Sequence, residues 1–268
     1  TPPNAGFLSR AVPALRYRDF RLLIAGVLVS MTGYWVMFVT QAWLAFEITS
    51  SNTWVGIVGS AETLPVLAIS LWAGVLADRT DRKRLMMIVR TLVSLLMLGE
   101  ALLAAAGLID AYVLVAFALA LGTLTALDIP ARQTLVTDLV PPEHIDNGVA
   151  VQQSTWNVTS ILGPSVGAVL LAFAGPAWAF AATAGASAFL VAVVAAMRIP
   201  RRPPAAHEES MLRQAWAGLR FVSGNAIVGW LLVLALIMTT FWSGYFVLLP
   251  ALAGDIFGAG ETGYGAMN

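Results

Sequence analysis

The chain has 268 residues, 59% of them hydrophobic and 11% charged, with a mean hydropathy of +0.80. A soluble domain carries roughly a quarter charged residues, so this chain lacks the charge to coat a water-facing surface. Basic and acidic residues cancel at 15 each, and the absence of cysteine excludes disulfides, thiolate metal sites and cysteine nucleophiles.

The first residue is Thr1, so the chain reads as the continuation of a longer gene product. Arg10, Arg16, Arg18 and Arg21 gather at the start of an apolar run from Phe20 to Phe46. That run exceeds the roughly 7–15 residues of a signal-peptide core, and more such runs follow it, so it reads as a retained first helix. A helix needs roughly 20 apolar residues to cross the hydrocarbon core. Further segments of this kind are Trp54 to Leu76, Leu85 to Ala106, Tyr112 to Leu127, Val149 to Phe173, Ala177 to Met197 and Ile227 to Leu249. The fourth helix resumes its apolar pattern after Pro130 and is expected to run on toward Leu139. The runs are apolar on every face, unlike the alternating strands of a membrane barrel.

Turn chemistry separates these spans. Ser50-Ser51-Asn52-Thr53 can cap the second helix, Gly107 to Asp110 parts the third from the fourth, and Gly175-Pro176 parts the fifth from the sixth. The longest polar stretch, Arg198 to Arg213, reads as a linker. After it, Met211, Leu212, Ala215, Trp216 and Leu219, with Arg213 and Arg220, suggest an amphipathic helix on the membrane surface. The expected organisation is an N-terminal segment (1–19), a six-helix block (20–197), a linker with its surface helix (198–226) and a seventh helix (227–268). Gly258 to Gly263 reads as another inter-helix turn, and the last residues as the start of an eighth helix cut short.

Orientation follows from the Lys/Arg bias. The arginines before the first helix, Arg79, Arg82, Lys83 and Arg84 after the second, Arg132 after the fourth, and Arg198, Arg201, Arg202, Arg213 and Arg220 after the sixth all fall on one side. The opposite loops carry acids such as Glu47, Asp110, Asp255 and Glu261 and no Lys or Arg. The N-terminus is therefore expected in the cytoplasm. Arg90 lies about two turns inside the third helix, from where it can snorkel to the same side.

The run Gly74-Val75-Leu76-Ala77-Asp78-Arg79-Thr80-Asp81-Arg82-Lys83-Arg84 joins the second and third helices. Gly74 lets its helix end approach a neighbour closely, Asp78 can accept hydrogen bonds from a helix N-terminus, and the basic residues hold the loop at the anionic inner leaflet. This pattern resembles the loop signature of the major facilitator superfamily, Gly-x-Leu-Ala-Asp-Arg-x-Gly-Arg-Lys. Ala126-Leu127-Asp128-Ile129-Pro130-Ala131-Arg132-Gln133, Gly163-Pro164-Ser165-Val166-Gly167 and the aspartate at Asp81 resemble the siderophore (enterobactin)-exporter-like branch. The resemblance implies an all-α membrane bundle, of which this chain would hold the six-helix N-terminal half and one helix of the C-terminal half. It also implies a gating contact between halves through Gly74, Asp78, Arg79, Arg82 and Lys83.

Gly163-Pro164-Ser165-Val166-Gly167 fits a Gly-x-Ser-x-Gly nucleophile elbow by letter, but that elbow needs a strand-to-helix turn with an acid and a histidine downstream. The run lies inside an apolar span. Gly163 and Gly167 form a small-xxx-small packing face and Pro164 permits a kink. The resemblance implies the same role, helix packing during conformational change.

Glu62 falls about 12 Å from the outer end of the second helix, near mid-bilayer, where a carboxylate is costly and by default functional. It reads either as a proton-binding carboxylate or as a hydrogen-bonded glutamate joining two helices. Glu100 lies nearer the outer end of the third helix and reads as wet or structural. Mid-span aromatic and polar residues are substrate-cavity candidates: Tyr34, Trp35 and Gln41 in the first helix, Thr123 and Thr125 in the fourth, Trp242 and Tyr245 in the seventh. Many drug/proton antiporters of the superfamily carry an arginine in the fourth helix and an acid in the first, and Leu114 to Leu127 and Ile24 to Phe46 contain neither. Proton coupling, where present, would then use Glu62 or Asp128.

The reading that results is a secondary transporter of the inner membrane, working by alternating access and exporting a small amphipathic molecule, with possible proton antiport. Its partners would be that small molecule, the bilayer, protons and the remaining C-terminal half, with no nucleic acid, metal or cofactor. A retinal photoreceptor fails because the lone lysine, Lys83, is in a loop. An enzyme fails for want of clustered reactive groups, and a non-transporting half-transporter serving as a membrane assembly partner is the alternative.

Overall fold

The computed structural model describes residues 12–198, 220, 224–231, 233–234 and 237–238. Its helices are α1 (Arg18–Thr49), α2 (Asn52–Arg79), α3 (Arg82–Ala105), α4 (Ala111–Leu139) and the long stretch Ile145–Ala196. Short 3-10 turns at Pro13–Arg16 and Pro142–His144 precede the first and last of these. The last stretch is 52 residues, about 78 Å at 1.5 Å per residue and more than twice the hydrocarbon thickness. It breaks at Gly175, whose φ of 79° and ψ of 174° are open to glycine and strained for other residues. Pro176 then opens the next helix, where its missing N–H costs nothing. The stretch is therefore two spans, α5 (145–174) and α6 (176–196), as Gly175-Pro176 predicts. The linker and most of the seventh span lie outside the described residues.

The ends of the helices are set locally. Ser50, in the left-handed region at φ 49°, closes α1 by donating its N–H to the Phe46 carbonyl at 2.7 Å. Asp110 accepts from the Val113 N–H at 2.8 Å and caps α4. Asp81 accepts from the Arg84 N–H at 3.1 Å and caps α3. Asp78 falls in the last turn of α2. The side chains of Asp78 and Arg79 lie outside the described residues. Ser51 is the N-cap of α2 without a side-chain bond to it.

α1 packs along α5 and α6, α2 along α4, and α3 against α4 and α6. Small residues allow these approaches. Gly163 of α5 faces the Trp35 side chain and Gly167 the Val36 backbone of α1. Gly33 of α1 meets Ala186 and Thr183 of α6, and the Thr183 hydroxyl donates to the Gly33 carbonyl at 2.9 Å. Between helices in lipid, close van der Waals contact and such bonds replace the hydrophobic drive. Leu67, Leu102 and Phe173 point outward, as side chains against lipid do.

Two apolar clusters form the core. One gathers Phe20, Leu23, Met86, Leu135, Leu190 and Met197; the other gathers Leu44, Val58, Met97, Leu114 and Phe180. The first lies at the arginine-rich end. There Arg82 pairs with Asp138 of α4 at 3.0 Å, and Lys83 donates to the Ala195 and Met197 carbonyls at 3.0 and 2.6 Å. Lys83 thus satisfies carbonyls at the C-terminus of α6, where a cation also suits the helix dipole.

Candidate functional site: a polar chamber inside the bundle

Along α1, Ser30, Tyr34, Met37 and Gln41 are spaced four, three and four residues apart and so lie on one helical face. Each polar member meets an ionisable residue of another helix. Ser30 Oγ accepts from Arg90 Nη1 of α3 at 2.9 Å. Tyr34 shares a wall with Glu62 of α2. Gln41 Nε2 donates to Glu100 Oε1 of α3 at 2.8 Å. A ladder of polar contacts therefore runs along α1 where the neighbouring helices bring their charges inward.

Beside the inner part of this ladder lies a chamber of about 760 Å³. That size is in the usual range, about 300–1,000 Å³, for small-molecule sites. α5 contributes Val149, Gln152, Gln153 and Trp156, an i, i+3, i+4, i+7 stripe. α4 contributes Leu121, Thr125, Asp128, Ile129, Arg132 and Gln133, again one face. Tyr34, Glu62 and Arg90 complete the polar wall, with Met31, Met37 and Met97 as adaptable apolar surface. Trp156 stacks obliquely on Trp35, ring centroids 5.8 Å apart, so Trp35 backs the chamber wall without lining it.

The strongest interaction in the chamber is a buried charge cluster. Arg90 Nε donates to Asp128 Oδ1 at 2.7 Å and Nη2 donates to Oδ2, a bidentate pair. Arg132, one turn along α4, stands with Nε 3.5 Å from Asp128 Oδ2. Arg90 is therefore held inside the bundle at 5% exposure and does not snorkel, because a carboxylate on α4 meets it there. Arg132 likewise belongs to the interior and not to a loop, since α4 continues through Pro130 to Leu139.

Glu100 is fully buried, so of its two readings, wet or structural, the structural one holds. Its Oε1 accepts from Gln41, and Oε2 has no hydrogen-bond partner. A smaller space of about 20 Å³ lies between Gln41 and Glu62, enough for about one water.

Of the residues singled out in the sequence, Tyr34, Thr125, Glu62 and Asp128 share the chamber. Gln41 borders the small space, and Thr123 donates back to the Leu119 carbonyl of its own helix at 2.9 Å. Gly163, Pro164 and Gly167 are buried on the α1–α5 contact, and Ser165 sits inside a helix, far from elbow geometry. Gly74 lies within α2, away from the chamber. Trp242 and Tyr245 lie outside the described residues. Arg90, Arg132 and the glutamines of α5 were missed as site residues; the signal available was Asp128-x-x-x-Arg132 on one helical face.

A multi-pass helical bundle with a ligand-sized, charge-lined chamber at mid-span defines a membrane protein of transporter type. The sequence profile of the transmembrane secretion effector family matches residues 9–268, and the chain belongs to that family of the major facilitator superfamily. It is 30% identical over 226 residues to the enterobactin exporter EntS of Shigella boydii serotype 4, covering 81% of this chain and 52% of that protein. It is 31% identical over 214 residues to the EntS of Escherichia coli O127:H6, covering 77% and 50%. The chain thus spans about half the length of the curated relatives it matches. Its fold is similar to a bacterial homolog of the human lysosomal transporter Spinster in an inward-facing, unoccupied conformation. The TM-score is 0.67 at 14% identity, covering 93% of this chain and 57% of that one.

Proposed function

We propose that this chain is the first half of an inner-membrane secondary transporter that exports a small amphipathic molecule by alternating access, with its arginine-rich end in the cytoplasm. The chamber carries this reading. It is of ligand size, and it combines aromatic and methionine surface with buried charge. In the two-half architecture, rocking of the halves would expose such a mid-bundle site to one side and then the other. The kinship with enterobactin exporters supports efflux of a siderophore-like molecule.

Glu62 is the proposed proton carrier. It faces the chamber beside Tyr34, so its proton can exchange with the ligand space. Asp128, the other candidate, has both oxygens engaged by Arg90 and serves better as an anchor for the arginines. Gly74, Asp78 and Arg79 are proposed to contact the second half, while Arg82 and Lys83 brace the loop from within this half.

The test is transport by the full polypeptide in proteoliposomes carrying a pH gradient, with enterobactin as the probe. Wild-type flux is expected to follow the gradient, and Glu62→Gln to abolish that dependence. A Glu62→Gln variant that follows the gradient like wild type removes Glu62 as the carrier. Absence of flux from the wild-type protein removes the transporter reading for this substrate.

A further inference from the structure

The cluster of Arg90, Asp128 and Arg132 does not balance. It sets two guanidinium groups against one carboxylate, and that carboxylate is already committed. Arg90 takes both oxygens of Asp128, by Nε at 2.7 Å and by Nη2. Arg132 is left 3.5 Å from Oδ2, and its buried Nε makes no hydrogen bond. Among the described residues, Asp128 is the one ion-pair partner Arg132 has. An arginine at 9% exposure with its charge unmet is costly in a medium of low dielectric. The same side chain lines the chamber, so a ligand can supply what the protein lacks.

We infer that the chamber selects an organic anion and seats its carboxylate-type group on Arg132, with the apolar body against Trp156 and the methionines. This rests on the chamber being the transport site. Three features favour an anion over a neutral or cationic ligand. The excess charge is positive and buried. Gln133, Gln152 and Gln153 beside it offer amide donors. A planar guanidinium with free N–H groups suits a two-oxygen acceptor. Glu62 lines the same chamber from α2, and in its protonated state it leaves the positive excess at Arg132 uncompensated.

The test uses the full polypeptide in detergent and isothermal titration calorimetry with 2-naphthoate, against the matched neutral 2-naphthamide. Wild type is expected to bind the acid at least tenfold more tightly than the amide. Arg132→Gln should erase that margin and leave amide affinity unchanged, and Arg132→Lys should retain part of it. Gln133→Glu leaves the Arg132–Asp128 contact in place and should also erase it by adding a negative charge at the chamber wall. Equal affinity of wild type for acid and amide overturns the inference. So does an Arg132→Gln variant that weakens both probes alike, since that marks a structural role. Binding is read without flux, so loss of anion preference and failure of transport are separate results.

Discussion

Gly122 of α4 lies directly against the backbone carbonyl of Glu62 in α2. The two helices touch, backbone to backbone, at the residue that α2 offers to the chamber. A Cβ at position 122 would overlap that carbonyl oxygen, and backbone cannot rotate away as a side-chain tip can. Gly122→Ala is therefore expected to push α2 from α4 and to destabilise by about 1–3 kcal/mol or more, as overpacking does. Gly59→Ala and Gly185→Ala meet nothing within 4 Å, and each should stabilise by up to about 1 kcal/mol through helix propensity. Thermal unfolding in one detergent, followed by helical circular dichroism, compares the three; equal melting points for all would contradict the contact.

Removing the carboxylate at Asp128 strands two buried guanidiniums. Asp128→Asn is expected to cost about 3–5 kcal/mol. A triple replacement of Arg90, Asp128 and Arg132 by apolar residues of similar size should recover most of that loss, because no charge then remains unpaired. The same melting measurement decides, and a triple variant less stable than Asp128→Asn would show that the cluster itself holds the helices together.

Gln41 and Glu100 join α1 to α3 on the side away from the arginines. Gln41→Leu leaves Glu100 buried with neither oxygen hydrogen-bonded, a loss of about 1–3 kcal/mol. Glu100→Gln keeps the shape and lets the second terminal group be an amide, so it should be far milder. If Gln41→Leu matches wild type in denaturant-dependent unfolding, the bond contributes nothing.

Topology can be read cleanly because the chain contains no cysteine. Arg198→Cys at the arginine-rich end should react with an impermeant maleimide only after the membrane is opened. Leu108→Cys, exposed at the α3–α4 turn, should react in intact cells. The reverse pattern would invert the orientation proposed from the Lys/Arg bias.

Much of this architecture is visible in the chain before it folds. Uninterrupted apolar runs of bilayer length mark the spans, and Gly175-Pro176 marks the break that divides a 52-residue helical stretch into two. The uneven placement of arginines marks one end of the bundle, and the loop from Gly74 to Arg84 marks the superfamily. Glu62 and Asp128 stand out because a charge in an apolar run is conspicuous. Their surroundings do not, as Arg90 and Arg132 illustrate: each reads as a residue on its way to the membrane surface until the helices are assembled.

The sequence by itself determined the number and order of the first six spans, because those depend on local hydropathy, turn residues and caps. The tertiary structure alone decided which faces meet. α4 carries Thr125, Asp128, Arg132 and Gln133 on one face, but that stripe does not say which neighbour it meets. Only the packing of the helices, in which Gly122 lets α4 touch α2 and Gly167 lets α5 touch α1, brings Ser30, Arg90, Asp128 and Arg132 together around one chamber.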